Sequence, residues 1–216
     1  MATVLRTLSY RYQWLYDFIS RTAALSVGGE QRFRHLPLEG LDIRKESKVL
    51  DLCCGSGQAT AVLAQYSKNV TGLDASPLSV RRAEANVPQA TFVEGWAENM
   101  PLSDNQFDIV HTSAAMHEME PAQRKAIFQE ALRVLKPGGV FTLMDFHAPQ
   151  NWLFWPGFAV FLWLFETETS WQMLRLDLPE VLEAQGFTIK DWHFQAGGSL
   201  QVIQAVKPLE DEGSSR

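Results

Sequence analysis

Five short apolar runs of β type alternate with helical segments through the middle of this chain: Lys48–Leu52, Asn69–Leu73, Ala90–Glu94, Phe107–Thr112 and Val140–Phe146. Strands of this kind, separated by helices, close into a largely parallel sheet covered on both faces, which places the chain in the α/β class. Two further runs, Gly186–Phe194 and Ser199–Val206, are joined through Ala196-Gly197-Gly198 and predict an antiparallel hairpin. Helix punctuation agrees. Ser76-Pro77 offers an N-cap and a proline at the first helical position of a segment reaching about Asn86. Pro121 opens another helix, with Ala126, Ile127, Ala131 and Leu132 on one stripe, and Lys136-Pro137-Gly138-Gly139 is expected to end it. Pro179 to Gly186 reads as a short helix.

No repeat or long linker divides the 216 residues, so one domain over 1–207 is expected, followed by a disordered tail over 208–216. A hydrophobic share of 46% with 20% charged residues supplies a folded core and excludes a disordered chain. The net charge of -6 argues against a nucleic-acid partner, whose phosphates need dense Lys and Arg. Met1–Tyr10 has no long apolar run before a small-residue cleavage site, and Cys53 and Cys54 are adjacent at a turn and ill placed for a disulfide. A cytoplasmic location is expected.

The chemistry begins where the first strand, Val49–Leu52, runs through Cys53-Cys54-Gly55-Ser56-Gly57 into a helix. Gly55 and Gly57 reach backbone angles closed to other residues and let a ligand lie against the main chain, with the Asp51 carboxylate nearby. Asp74 ends the next strand, 19 residues after Gly55, where a carboxylate can accept hydrogen bonds from both ribose hydroxyls of an adenosine. A nicotinamide enzyme usually continues to a third glycine, but Thr60 stands there, and no Walker lysine follows to hold phosphates. Adenosine without a phosphate chain fits this loop better than a dinucleotide.

These motifs continue through Ala97-Glu98-Asn99-Met100-Pro101-Leu102, Asp104-Asn105-Gln106-Phe107-Asp108, Arg133–Gly139 and Asp145-Phe146. With Tyr16-Asp17 before them, the sequence resembles the class I S-adenosylmethionine-dependent methyltransferases, in particular the ubiquinone/menaquinone biosynthesis C-methyltransferases. The resemblance implies a Rossmann-like seven-stranded sheet of order 3-2-1-4-5-7-6 with strand 7 antiparallel. It also implies an N-terminal helical cap over 1–46 and an acceptor-side insertion over 147–176. The cofactor it implies is S-adenosyl-L-methionine, held by Tyr16, Asp51, Gly55, Gly57, Asp74, Ala75, Trp96, Ala97 and Ser113. Trp96 departs from the family, which often carries Asp or Asn there; two readings stand, stacking on adenine or core packing.

A second departure is Ser113-Ala114-Ala115-Met116-His117-Glu118-Met119, where quinone enzymes often carry an Arg-Asn pair. His117 reads either as a catalytic base for a phenolic or activated carbon-bound proton, also touching the acceptor, or as a loop histidine bonded to backbone. Glu118 reads as a weaker catalytic candidate or as charge near a helix start, and Asp145 and His147 either reach the acceptor at the carboxyl edge of the sheet or only end the strand. The remaining histidines and the cysteines lack metal-ligand spacing, so no metal is expected.

Asn151–Trp171 holds eight of the 24 aromatic residues, and Phe154, Phe158, Phe161 and Phe165 recur at helical spacing. Three readings stand: a buried packing helix, a lid placing Phe154, Phe158 and Phe161 on the acceptor, or a membrane or subunit contact. Pro156-Gly157 and the length of the run argue against a transmembrane helix. Near the N-terminus, Leu15, Phe18 and Ile19 favour a helix, on which Arg6, Arg11 and Arg21 read as a solvated basic face or an anionic-lipid contact.

The function expected is methyl transfer to carbon or oxygen of a hydrophobic small molecule, such as a quinone or lipid-like aromatic precursor, with peripheral membrane contact. Methylation of a soluble polar metabolite and a noncatalytic methyltransferase-like binding protein are the alternatives.

Overall fold

The computed structural model describes Ala24 and residues 27–209, so Tyr16, the rest of the expected N-terminal helix and most of the expected tail lie outside the described residues. Seven strands form one sheet in the order β3-β2-β1-β4-β5-β7-β6. They are β1 (Lys48–Leu52), β2 (Asn69–Asp74), β3 (Thr91–Glu94), β4 (Phe107–Ser113), β5 (Leu135–Phe146), β6 (Thr188–Gln195) and β7 (Leu200–Val206). The first five pair in parallel, while β7 runs antiparallel between β5 and β6. This is the order and direction that the family resemblance implies.

Seven α-helices are described: α1 (Glu30–His35), α2 (Gln58–Tyr66), α3 (Pro77–Asn86), α4 (Pro121–Val134), α5 (Trp155–Phe165), α6 (Glu168–Met173) and α7 (Leu178–Glu183). Strand periodicity divides the core between the two sheet faces. Leu50 and Val110 join Ile127 and Phe128 of α4 on one face, while Val49 and Ile109 join Val62 and Leu63 of α2 on the other. Phe141 sits at the centre of the α4 side, edge-on to Phe128 at 5.9 Å and stacked on Phe187 at 5.5 Å. Each such buried ring contributes about 1.5–3 kcal/mol relative to exposure.

The expected Ser76 cap forms, its Oγ accepting from the Ser79 amide at 3.3 Å to start α3, and Asp177 Oδ1 accepts from the Glu180 amide at 3.1 Å to start α7. Lys136–Gly139 behaves differently from the expected helix terminator. The helix stops at Val134, and the four residues form a bulged first half of β5, where the pairing shifts between Phe107↔Leu135 and Ile109↔Val140. Gly138 has φ 78°, and a Cβ at Gly139 would approach Lys136 O to 2.9 Å, so the bulge needs both glycines.

Candidate functional site

The carboxyl ends of β1, β2 and β4 converge on a cleft of about 410 Å³, within the range of about 300–1,000 Å³ that small ligands occupy. Its floor is the β1–α2 turn. Gly55 has φ 54° and nothing within 4 Å of where a Cβ would stand, so the main chain there is open to a ligand. Gly57 has a different task from the one expected. At φ 83° it begins α2, and its missing Cβ would come within 3.2 Å of Ala83 and Val87, so it lets α2 and α3 pack closely rather than lining the cleft.

Two non-glycine residues of the cleft wall, Cys53 at φ 59° and Ala114 at φ 51°, hold left-handed backbone. Each costs on the order of 1 kcal/mol, strain of the kind that collects at functional turns. Burial, with Asp74 and Asp51 adding to it, pushes the Cys53 thiol far above its usual range, and burial with the same two carboxylates does so for Cys54. Neither sulfur is a thiolate nucleophile.

Asp74 stands at the end of β2 on the cleft wall, its Oδ2 accepting from the Gly55 amide and its Oδ1 from the Ser76 amide, both at 2.9 Å. Each oxygen keeps a lone pair for a further donor. Asp51 also borders the cleft but is almost fully buried, accepting from Thr60 Oγ1 at 2.5 Å and facing His111 Nδ1 at 2.9 Å. It ties β1 to β4 and to α2. Ala75 and Ser113 line the cleft as expected. So does Arg34 of α1, which sequence reasoning missed; it pairs with Glu30 at 3.0 Å and donates to Gln58. Its place at the cleft depends on how α1 packs beside α2, which no local signal announces. Trp96 and Ala97 stand outside this lining; Ala97 is buried, whereas Trp96 is 63% exposed, which removes the core-packing reading of that indole.

The cleft wall carries carboxylates from Asp51, Asp74 and Glu118 and guanidiniums from Arg34 and Arg82. A ligand bearing fixed positive charge with one carboxylate suits this set; a phosphate chain does not. Among the described residues, no three or more His, Cys, Asp or Glu side chains group to hold a metal ion.

Above the cleft, Met116–Glu118 forms a single 3₁₀ turn held from both sides. Asp145 at the end of β5 accepts the Met116 and His117 amides on Oδ2, at 2.8 and 3.1 Å, and the Phe146 amide on Oδ1 at 2.7 Å. Buried Arg124 donates to the carbonyls of Met116 and Met119 at 3.0 and 2.8 Å. Asp145 is thus the keystone of a loop rather than only the end of a strand.

The turn sends His117 inward and Glu118 to the cleft wall. His117 Nδ1 lies 2.6 Å from Asp145 Oδ1, Nε2 lies 3.5 Å from Glu166 Oε2, and the ring stacks on Phe146 at 4.2 Å. Burial would lower its pKa, but Asp145 first, then Glu166 and Glu118, outweigh that and raise it from 6.5 to about 9. Held between two carboxylates, the imidazole favours its protonated form, and its Nε2 faces Glu166. The other strand-end histidine, His147, places Nδ1 2.9 Å from the Gly198 carbonyl.

The aromatic insertion is not a buried packing helix. Only Leu162 of α5 is buried, while Trp152, Leu153, Val160 and Trp163 are more than half exposed. Its inner face carries Phe158 and Phe161, edge-on to Phe146 at 5.6 and 5.9 Å, with Phe165 next along the stripe at 5.6 Å from Phe161. Phe154 does not share that face. It precedes α5 in a 3₁₀ turn and lies against Gly197, whose missing Cβ would meet its ring at 2.5 Å. No helix among the described residues is long and apolar enough to cross a membrane.

Residues 49–139 match a family model described as a methyltransferase domain. An uncharacterized methyltransferase of Synechocystis sp. is 58% identical over 205 residues, covering 95% of this chain and 97% of its own. A demethylmenaquinone methyltransferase of Beutenbergia cavernae is 31% identical over 181 residues, covering 84% of this chain and 74% of its own. Among solved structures, the [4+2]-cyclase SpnF superposes with a TM-score of 0.68 at 19% identity, over 97% of this chain and 98% of that one. A cyclase on the same scaffold shows that the sheet alone does not choose the reaction.

Proposed function

The chain belongs to the class I S-adenosylmethionine-dependent methyltransferases, and from that membership we propose that it methylates carbon or oxygen of a hydrophobic small molecule, of the quinone or lipid-like aromatic kind. The observation that carries the acceptor class is the cluster of Phe146, Phe158 and Phe161, which ends β5 and lines the inner face of α5. An apolar ring fits such a surface, and a polar metabolite gains nothing from it. The 31% identity to a demethylmenaquinone methyltransferase points to the same class.

When bound, S-adenosylmethionine supplies an electrophilic methyl group on a sulfonium sulfur. Asp74 would hold the ribose hydroxyls, the Gly55 backbone would leave room for the methionine part, and Arg34 would pair with its carboxylate. Ser113, Ala114 and Ala115 shape the wall between cofactor and acceptor. With the His117 imidazolium favoured by its carboxylates and both thiols held neutral by burial, the residues of this cleft would act by positioning the acceptor rather than by taking its proton. An acceptor that brings its own nucleophile, a phenolate or an electron-rich ring carbon, suits this site. Glu118 is the side chain of the turn placed on the cleft wall to receive a released proton.

The outer side of the insertion supports a membrane-surface role. No charged residue occurs from Asn151 to Phe165, and Trp152, Leu153, Val160 and Trp163 face solvent. Tryptophans at the edge of an apolar helix suit the headgroup region of a bilayer. The contact offered by this face is one of apolar burial, with no charge of its own.

The test is incubation of purified protein with radiolabelled S-adenosylmethionine and, in parallel, reduced prenylated quinones, a membrane lipid extract and a polar metabolite panel. Label in the organic phase supports the reading; label confined to water-soluble product refutes it.

A further inference from the structure

The first charged residue after the uncharged stretch is Glu166, at the C-terminal end of α5. Its Oε2 accepts from Ser170 Oγ at 3.1 Å and lies 3.5 Å from His117 Nε2. Ser170, on α6, also donates to the His117 carbonyl at 3.5 Å. The opposite nitrogen of His117 meets Asp145, which fixes the turn that carries Ala115, Glu118 and Met119 onto the cleft wall. A continuous chain of polar contacts therefore runs from the cofactor cleft, through Asp145 and His117, to the joint between α5 and α6. The same imidazole is stacked on Phe146, the ring against which Phe158 and Phe161 pack.

We propose that His117 and Glu166 are positioning residues, a tether that seats the acceptor-side helix α5 over the cofactor cleft. The alternative use of His117, as a proton acceptor, needs Nε2 neutral and facing the acceptor; here it faces a carboxylate. The charged groups around the ring are Asp145 from β5, Glu166 from the end of α5, Glu118 from its own turn and Arg124 from α4. Three carboxylates against one guanidinium favour the imidazolium, and the tether is an ion pair only while that proton stays. Without it, Nε2 and the Glu166 carboxylate present two acceptors to each other.

The acceptor contact of α5 rests on the function proposed above, whereas the tether itself can be read without any acceptor. Hydrogen exchange on the full chain at neutral pH measures it. In Glu166→Gln, the amides of Trp155–Phe165 are expected to exchange about tenfold faster than in wild type, with β1 and β4 unchanged. In wild type alone, the same loss of protection follows as pH rises through about 9, after correction for intrinsic exchange rates. Glu166→Gln removes that pH dependence, and His117→Gln, if it folds, matches Glu166→Gln.

With a turning-over acceptor, Glu166→Gln raises acceptor KM by about fivefold or more and leaves kcat within about twofold, while calorimetric affinity for S-adenosylmethionine holds. Unchanged exchange of α5 in Glu166→Gln overturns the tether. If no apolar acceptor is methylated but α5 loosens as stated, the acceptor reading fails and the tether stands.

Discussion

Replacing Asp145 with asparagine keeps the shape of the side chain but turns one of its acceptor oxygens into a donor amide. Both oxygens face donors: Met116 and His117 amides on one, the Phe146 amide and His117 Nδ1 on the other. Turned one way, the new amide leaves the buried Met116 and His117 amides without an acceptor; turned the other, it does so for the Phe146 amide, at about 1–3 kcal/mol each. Breaking the buried ion pair, with the groups it leaves unpaired counted in, is expected to cost about 3–5 kcal/mol at neutral pH. The pH dependence is more specific. His117 has a folded pKa of about 9 against an ordinary 6.5, so its proton adds stability that is complete below about pH 6.5 and lost as pH rises through about 9. The full shift corresponds to at most about 3 kcal/mol. In the variant, burial no longer opposed by Asp145 leaves the ring neutral across that window. Urea unfolding of both proteins from pH 6 to 10 should give a stability difference that shrinks by about 2–3 kcal/mol over the range. A difference that stays constant with pH, or a loss below about 1 kcal/mol at pH 7, would refute the reasoning.

Asp74→Ala should weaken S-adenosylmethionine binding by about tenfold or more in calorimetry, through loss of the ribose acceptors and of the Gly55 and Ser76 amide contacts that shape the cleft. Gly57→Ala should lower the denaturant midpoint with an unchanged slope, at a cost of about 1–3 kcal/mol, since it combines φ 83° with a Cβ 3.2 Å from Ala83. Trp152→Ser with Trp163→Ser should cut sedimentation with neutral phosphatidylcholine vesicles several-fold, while wild-type binding is insensitive to salt. Loss of wild-type binding at high salt would point to Coulombic attraction instead.

The sheet was legible because its signals are local: period-two strands, Ser76-Pro77 and the glycine-rich turn each act within a few residues. Lys136–Gly139 was misread because a proline and two glycines after a helix look alike whether they end it or build a bulge, and only the partner strand at Phe107 and Ile109 decides. Asp51, Gly55, Asp74, Ala75 and Ser113 fall around one cleft because a strand end and the turn after it fix the direction of a side chain. His117 was legible as a residue of the turn after β4, but its surroundings were not. Its setting depends on Asp145 and Glu166, 28 and 49 residues onward, and no spacing in the chain announces that meeting. The outward face of α5 was equally hidden, since apolar residues on both sides of a helix do not say which side the sheet will cover.

The place of β7 bears on how the molecule is made. It is the last strand of the sheet in chain order yet lies inside it, covering the edge of β5 from Val140 to Phe146 and carrying β6 on its far side. During synthesis, every strand through β6 leaves the ribosome before the one that joins β6 to the rest. Until Leu200–Val206 emerges, the β5 edge, with Phe141 and Leu143, is an open template for a stray strand from another chain. A chain truncated before residue 200 is therefore expected to aggregate through this edge, because pairing of β7 is what covers it.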